Sequence, residues 1–451
     1  MAIIIRQEPT SPNMANSNLL WMVTSGLTGN PQYQYILDVY ESGSSTRVQR
    51  IKQQPNPSNK GIFDLGTILP TQLEIDSVWA AAPFDLSPNS NKDYIVKFGE
   101  EYGTSTSSSI TIYDGSNNPG EPNKTGSEFY TITNGLVEPN SGDWNFASAS
   151  YYFPESASSA ETYNNQATLT NFSTTQSIQD GEYHTISTYN GNVDNSSVYA
   201  QDIFYVSIQV YNSAGSNIQN INFYNTTANN GGPRTSEADF WGDAGVFDAQ
   251  TNQTRLLHIG VGPQNLDDSG NTLNTNWAYY TVILQGQGDD GLENNNGKFA
   301  TLRFDKDTAN CGYPGVRFAW KNEFGVWDYF TFKLAESTNS DVERQSYEQS
   351  FVNYSTVGLS VPYNAGRRGK TQYYNKVTKQ HAVESDYLSQ GLADNLTELF
   401  FSTEVYVQEG TVFYPVVFTN SSVTEKTNPR TQKLFKYTAQ YQYANEVRPR
   451  V

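Results

Sequence analysis

Apolar residues in this chain fall in short alternating runs separated by polar, turn-rich stretches, the pattern of half-buried strands. Tyr33, Tyr35, Leu37 and Val39 occupy alternate positions in Tyr33–Tyr40 and predict a strand with those four on one face. The turn Glu41-Ser42-Gly43 and the segment Thr46–Lys52 complete a predicted hairpin. Asn18–Thr24 and Gly61–Leu69 predict further strands, the second preceded by the Pro/Asn-rich linker Gln53–Lys60. Tyr94–Phe98 and Ile110–Tyr113 predict another hairpin, joined by a polar Gly99–Ser109 loop. Turn signals recurring every ~8–12 residues are what a β-sandwich produces, so an Ig-like sandwich is expected over 1–118.

The pattern lapses across 119–200. Asn117–Gly126 reads as a linker, and Ser156–Thr175 is a low-complexity loop of Ser, Ala, Thr and Asn. Alternation returns in Ile203–Tyr211, followed by the turn Asn212–Gly215, and in Arg255–Val261 and Trp277–Gln285, which flank a polar Gly262–Asn276 loop. A second sandwich with long insertions is expected over 119–300. Phe299–Phe304, Val316–Trp320 and Val326–Lys333 predict strands of a third unit, a β-rich domain expected over 301–451. Val316, Phe318 and Trp320 share one face of their strand, as do Trp327, Tyr329 and Thr331 on the next, which predicts an aromatic core. One segment has helical spacing: Leu388, Leu392, Leu396, Leu399 and Phe400 form a stripe near 386–401, with Ser385 as the expected cap. Val405–Val407, Thr411–Phe418 and Lys433–Tyr443 return to strand, the last with Phe435, Tyr437, Ala439 and Tyr441 on one face. The fold class predicted is mainly β: several Ig-like β-sandwich domains, long polar loops and one C-terminal helix.

Composition changes this picture in one respect. Only 36% of the residues are hydrophobic, which by itself points towards disorder, yet 31 Tyr, 23 Phe and 7 Trp supply enough ring area for a core. The net charge of −18 opposes binding to a nucleic-acid backbone, which needs clustered Lys and Arg. Arg367-Arg368-Gly369-Lys370 is the only compact basic cluster, and Arg367, Arg368 and Lys370 are candidates for docking an acidic neighbouring subunit. No run of about 18 apolar residues occurs, so no membrane span is expected. The opening residues lack a basic stretch followed by an apolar one, so synthesis and folding in a cytoplasm are expected.

Candidate chemistry is sparse. His184, His258 and His381 lie far apart, none in a metal-binding spacing, and Cys311 is the single cysteine. The acidic pairs Glu100-Glu101 and Asp289-Asp290 sit beside glycines and read as exposed loops; neighbours on a strand point to opposite faces, so neither pair makes a catalytic dyad alone. Asn265-Leu266-Asp267-Asp268-Ser269-Gly270 loosely resembles the start of a calcium loop, but Asn276 stands where its bidentate Glu belongs. No catalytic, cofactor-binding or metal-ligating residue is assigned, and no enzyme activity is expected.

Several segments resemble virion structural proteins of tailed bacteriophages, mostly of marine and Bacteroidota hosts. They are Cys311–Phe332, the Ser385-Asp386-Tyr387-Leu388 start, Glu398–Val407, the closing Lys433–Asn445 strand, and Asn18–Leu69 with its Gly61-Ile62-Phe63-Asp64-Leu65-Gly66 step. The likeness covers about half the chain, mainly its two ends. It implies a non-enzymatic component of a bacteriophage virion, a tail, collar or baseplate subunit, whose partners are other virion proteins and copies of itself. Two other functions fit the composition: a capsid decoration protein, or a host-recognition protein that binds a surface glycan through Asn225–Thr235 and Asn265–Trp277, since aromatic faces stack on sugars.

Overall fold

Alternation becomes strand wherever one face can be buried, and the resulting protein is mainly β. The computed structural model describes residues 3–9, 13–42, 44–77, 79, 83–104, 107–113, 130–135, 168–190, 203–225, 255–286, 297–308, 315–334, 336–348, 369–420 and 435–445. Two compact units make up the chain: Met1–Thr308 with Trp320–Tyr329, and Ala309–Ala319 with Phe330–Val451.

Four sheets build the first unit. One orders Ile4–Gln7, Leu20–Thr24 and Lys60–Asp64. A second runs Asn13–Met14, Tyr130–Thr133, Asn91–Thr104, Gln34–Glu41, Arg47–Gln53, with Ser107–Tyr113 also paired to Asn91–Thr104. The third runs Thr175–Ile178, Gly297–Lys306, Tyr279–Gly286, Ile203–Tyr211, Asn217–Tyr224, and the fourth Thr185–Asn190, Arg255–Gly260, Phe84–Leu86. Trp21, Tyr35, Leu37, Val39 and Ile132 belong to one core; Val206, Ile208, Val210, Tyr280 and Val282 belong to another. Fully burying each such side chain contributes about 1.5–3 kcal/mol.

The Gln34–Glu41 strand is buried on both faces, so Tyr35, Leu37 and Val39 point into the core as predicted while Ile36 and Asp38 are buried as well. A buried carboxylate needs a partner. Arg50, across the hairpin, grips Asp38 with both prongs of its guanidinium at 2.6 and 2.5 Å, and Arg47 stands 3.6 Å away. Two expectations are corrected. The polar stretch after Phe98 is not a loop: Asn91–Thr104 and Ser107–Tyr113 pair from Phe98↔Tyr113 to Thr104↔Ser107, and Glu100 is buried between tyrosine hydroxyls. The Gly262–Asn276 loop contains the helix Pro263–Asp268, which Pro263 starts by pre-setting the helical φ in the first turn. The low-complexity expectation for Ser156–Thr175 lies outside the described residues up to 167.

A tight turn fixes Val316–Lys321 against Trp327–Phe332. The Asn322 side chain accepts from the Phe324 and Val326 amides at 3.0 and 3.2 Å, and donates to Leu169 O at 2.9 Å and to Asp328 at 3.0 Å. Gly325 has φ +77°, and a Cβ there would collide with the Asn134 carbonyl.

The second unit holds a seven-stranded sheet ordered Trp327–Phe332, Val316–Lys321, Val405–Glu409, Val412–Phe418, Thr438–Tyr443, Lys370–Glu384, Glu336–Glu348, its first two strands lending their turn-side ends to the first unit. Phe435, Tyr437, Ala439 and Tyr441 are buried, as their alternation predicts. The helix is Gln390–Phe401, with Ala393, Leu396 and Leu399 inward and Ser389 at its cap position. Ser385 therefore does not cap it. Its hydroxyl accepts the Tyr437 amide at 2.9 Å, and Leu388 bridges to Phe435 ahead of the helix.

Two stability predictions follow from these contacts. Gly325→Ala combines a left-handed backbone with a backbone clash and is expected to lower stability by about 2–4 kcal/mol in urea unfolding. Arg50→Ala leaves the buried Asp38 short of its charge partner and should cost about 3 kcal/mol. Asp38→Ala should cost less, because Arg50 already reaches solvent; equal losses would contradict this account.

Candidate assembly surface

The residues with chemical potential are mostly spent on the fold. His258 is buried, with Nε2 2.6 Å from the Ser87 hydroxyl and Nδ1 2.8 Å from the Ser187 hydroxyl. Such a Ser–His contact can serve nucleophilic catalysis when the imidazole is basic and open to substrate. Here burial pushes the imidazole pKa down from 6.5 to about 3, with Asp76 opposing the shift. A neutral, enclosed ring whose two nitrogens both meet hydroxyls acts as a strut between Arg255–Gly260 and Thr185–Asn190 and the residue following Phe84–Leu86. His184 packs against Phe304 and Tyr329, ring centroids 4.8 and 4.9 Å away. His381 stacks on Tyr441, with Nδ1 3.3 Å from a Glu336 oxygen.

The Glu100-Glu101 pair lies on a strand rather than in an exposed loop. Glu100 is buried and accepts the Tyr33 and Tyr113 hydroxyls, each at 2.8 Å, which with burial raises the pKa of both phenols. Glu101 points the other way and pairs with Lys52 at 2.5 Å. Asp289 and Asp290 lie outside the described residues. In the calcium-like segment, Asn265 is buried and its amide bridges His184 N and Trp79 O at 2.9 and 2.8 Å, while Asp268 accepts the Tyr183 hydroxyl at 2.6 Å. Among the described residues, no His, Cys, Asp and Glu side chains group as they would around a metal ion.

The surface feature the sequence pattern missed is a long ribbon. Glu336–Glu348 and Lys370–Glu384 pair antiparallel from Glu336↔Val383 to Glu348↔Lys370, with a bulge after Gln345. At about 3.3 Å per residue the 13-residue first strand spans roughly 40 Å. Every residue of that strand is exposed. Alternation could not reveal a ribbon wetted on both faces; its signals are the Thr, Tyr and Val content and the opposed charges. Glu343 lies opposite Lys376, Val342 opposite Val377 and Glu348 opposite Lys370, and the Tyr373 hydroxyl donates to Gln345 at 2.9 Å. Val342, Tyr347, Tyr373, Tyr374 and Val377 are nonetheless exposed.

Among the described strands, the ribbon joins the rest of the sheet at its root. His381–Glu384 pair with Thr438–Tyr441, and beyond them no described strand borders Lys370–Gln380 on that side. Glu336–Glu348 ends the sheet, so its outer edge is also without a strand neighbour among the described residues. Of the predicted docking residues, Lys370 opens the second strand and is exposed; Arg367 and Arg368 lie outside the described residues.

The sequence matches no protein-family model and no curated protein. Among the described residues no helix is long and apolar enough to cross a membrane.

His258 gives this region a pH signature. Its folded pKa is depressed, so the unfolded chain takes up a proton near pH 6.5 that the folded chain refuses until about pH 3. The group's contribution is full above pH 6.5 and is lost as the pH falls from there towards 3. His258→Asn is expected to lower stability at neutral pH but to flatten its decline between about pH 6.5 and 5, where one proton accounts for about 1.4 kcal/mol per pH unit. Urea midpoints across that range test it, and a variant whose slope matches the wild type would refute the assignment.

Proposed function

We propose that this protein is a non-enzymatic structural component of a bacteriophage virion, a tail, collar or baseplate subunit that works by protein–protein assembly with copies of itself and other virion proteins. Such a subunit is made in the host bacterial cytoplasm and ends in the particle. The observation that carries the reading is the exposed ribbon of Glu336–Glu348 and Lys370–Glu384. A two-stranded ribbon is marginal in water on its own, and bare sheet edges invite pairing. A long edge-bearing arm that also exposes tyrosines and valines suits a protein whose working state is an assembly. The resemblance of the Cys311–Phe332 segment and of both chain ends to virion structural proteins points the same way. The buried, hydroxyl-bound His258 and the tyrosine-bound Glu100 favour a structural over a catalytic role.

The glycan-binding alternative draws less support. Trp277, the ring best suited to stack on a sugar in Asn265–Trp277, is buried, its indole N–H donates to Asp180 at 2.9 Å, and the Lys306 ammonium sits 4.6 Å from its centroid. Asn225–Thr235 lies outside the described residues after Asn225.

Light scattering of the purified full chain, with negative-stain images, tests the assembly role. A homo-oligomer of defined symmetry is expected. A monomer at every concentration would count against self-assembly and shift weight to a decoration or host-binding role on the particle.

A further inference from the structure

We infer that the outer face of the third sheet of the first unit binds a neutral oligosaccharide. This is the sheet that runs Thr175–Ile178, Gly297–Lys306, Tyr279–Gly286, Ile203–Tyr211, Asn217–Tyr224. The site is distinct from the loops Asn225–Thr235 and Asn265–Trp277, and it does not depend on the assembly role. One face of the sheet supplies the core residues Val206, Ile208, Val210, Tyr280 and Val282. The other is wet, and two rows of side chains cross it from strand to strand. Register sets Thr175, Arg303, Thr281, Gln209 and Asn220 side by side in one row. Ser177, Asp305, Tyr279, Tyr211 and Asn217 form the next. With strands about 4.8 Å apart, each row is roughly 20 Å long, the reach of a short oligosaccharide.

Wet faces of antiparallel sheets are polar as a rule. This one differs in that its polar groups are held in place before any ligand arrives. The Arg303 guanidinium lies over Tyr279, 3.9 Å from the ring centroid, and Tyr279 stacks on Tyr211 at 4.8 Å with the planes 9° apart. Arg303 Nε donates to Asp305 at 2.8 Å. The Tyr211 hydroxyl donates to Gln209 Oε1 at 2.8 Å, which leaves the amide N–H groups of Gln209 for a ligand. The Asn217 amide donates to Asn220 Oδ1 at 2.8 Å and leaves the Asn220 N–H groups likewise. Between Arg303 and Gln209, the Thr281 hydroxyl has no partner among the described residues. The first row thus offers a guanidinium, a hydroxyl and two amides at strand spacing. Side chains already held in place lose little freedom on binding.

The chemistry of the face selects the ligand. Arg303 and Asp305 cancel and the other positions in the two rows are uncharged, so the face draws neither a polyanion nor an acidic neighbouring subunit. It carries no aliphatic side chain larger than threonine, whereas a protein interface is built around an apolar centre. Neutral donors and acceptors repeating across the strands, with the edges of two tyrosine rings among them, match the hydroxyls and C–H groups of a sugar chain.

The test measures binding of the full chain to an array of neutral and acidic bacterial surface oligosaccharides, followed by titration of the tightest binder in solution. Neutral oligosaccharides are expected to bind. Gln209→Ala and Thr281→Ala each remove a hydrogen-bonding group from the middle of the row and should weaken binding about tenfold. Tyr211→Phe removes only the hydroxyl that holds Gln209 and should weaken binding by less. Asn220→Ala repeats the test at an exposed position, where folding is not at stake. Tyr373→Ala, in the other unit, should leave binding unchanged. Circular dichroism confirms that each variant folds. No binding to neutral oligosaccharides, binding to acidic ones alone, or binding that survives the row variants would overturn the site. None of these results bears on the oligomer, which light scattering reads separately.

Discussion

A buried tyrosine brings a hydroxyl into the core, and an unpaired hydroxyl there costs a large part of what burying the ring gains. This protein packs many rings beside its aliphatic side chains, and several of the buried hydroxyls and indoles meet acceptors. The partners lie far along the chain. Tyr33 donates to Glu100, Tyr183 to Asp268, Tyr189 to Thr133, and Tyr280 to the carbonyl of Val261. Two indoles do likewise: Trp277 donates to Asp180, and Trp327 donates to the Asp76 carbonyl, 251 positions away.

This requirement does more than add hydrogen bonds. A ring slides on other rings at small cost, but a hydroxyl with one acceptor defines where the strand carrying it must stop. A one-residue slip would turn each side chain to the opposite face and separate every such pair at once. The buried charges act likewise. Asp38 fixes Gln34–Glu41 against Arg47–Gln53 through the Arg50 fork, and Glu100 ties Asn91–Thr104 to both Ser107–Tyr113 and Tyr33. Buried polar networks that are fully satisfied specify one arrangement.

The sequence conveyed strands where one face is wet. Phe435–Tyr441 alternates clearly and its inward residues are those predicted; in Tyr33–Tyr40 the predicted inward residues are buried too, although the opposite face is buried as well. The turn Asn322–Gly325 has in its Asn and Gly the residues its geometry needs. What alternation could not convey is burial on both faces or on neither. Asp38 and Glu100 occupy positions that look solvent-facing until the second layer is in place. The Glu336–Glu348 ribbon lies at the other extreme: polar on both faces, it has no period to detect, and its pairing shows only once its partner strand is known. Pro263–Asp268 is too short for helical spacing to emerge, although Gly262 followed by Pro263 marked its start. Helical spacing located the stripe of Gln390–Phe401 but could not separate Leu388, which looks like part of that stripe and is held by Phe435.

The chain order of the first unit bears on how the protein emerges from a ribosome. That unit includes Trp320–Tyr329, a short stretch made after everything else in it. Trp327 reaches back to the Asp76 carbonyl and packs edge-on against Trp79, and Asn322 holds the Leu169 carbonyl. Until translation has passed Tyr329, those early segments lack the contacts that complete them. Closing such distant contacts is slow. Nascent chains therefore spend a long interval with strands exposed, a period in which acidic charge and scattered polar loops help keep incomplete copies from sticking to one another.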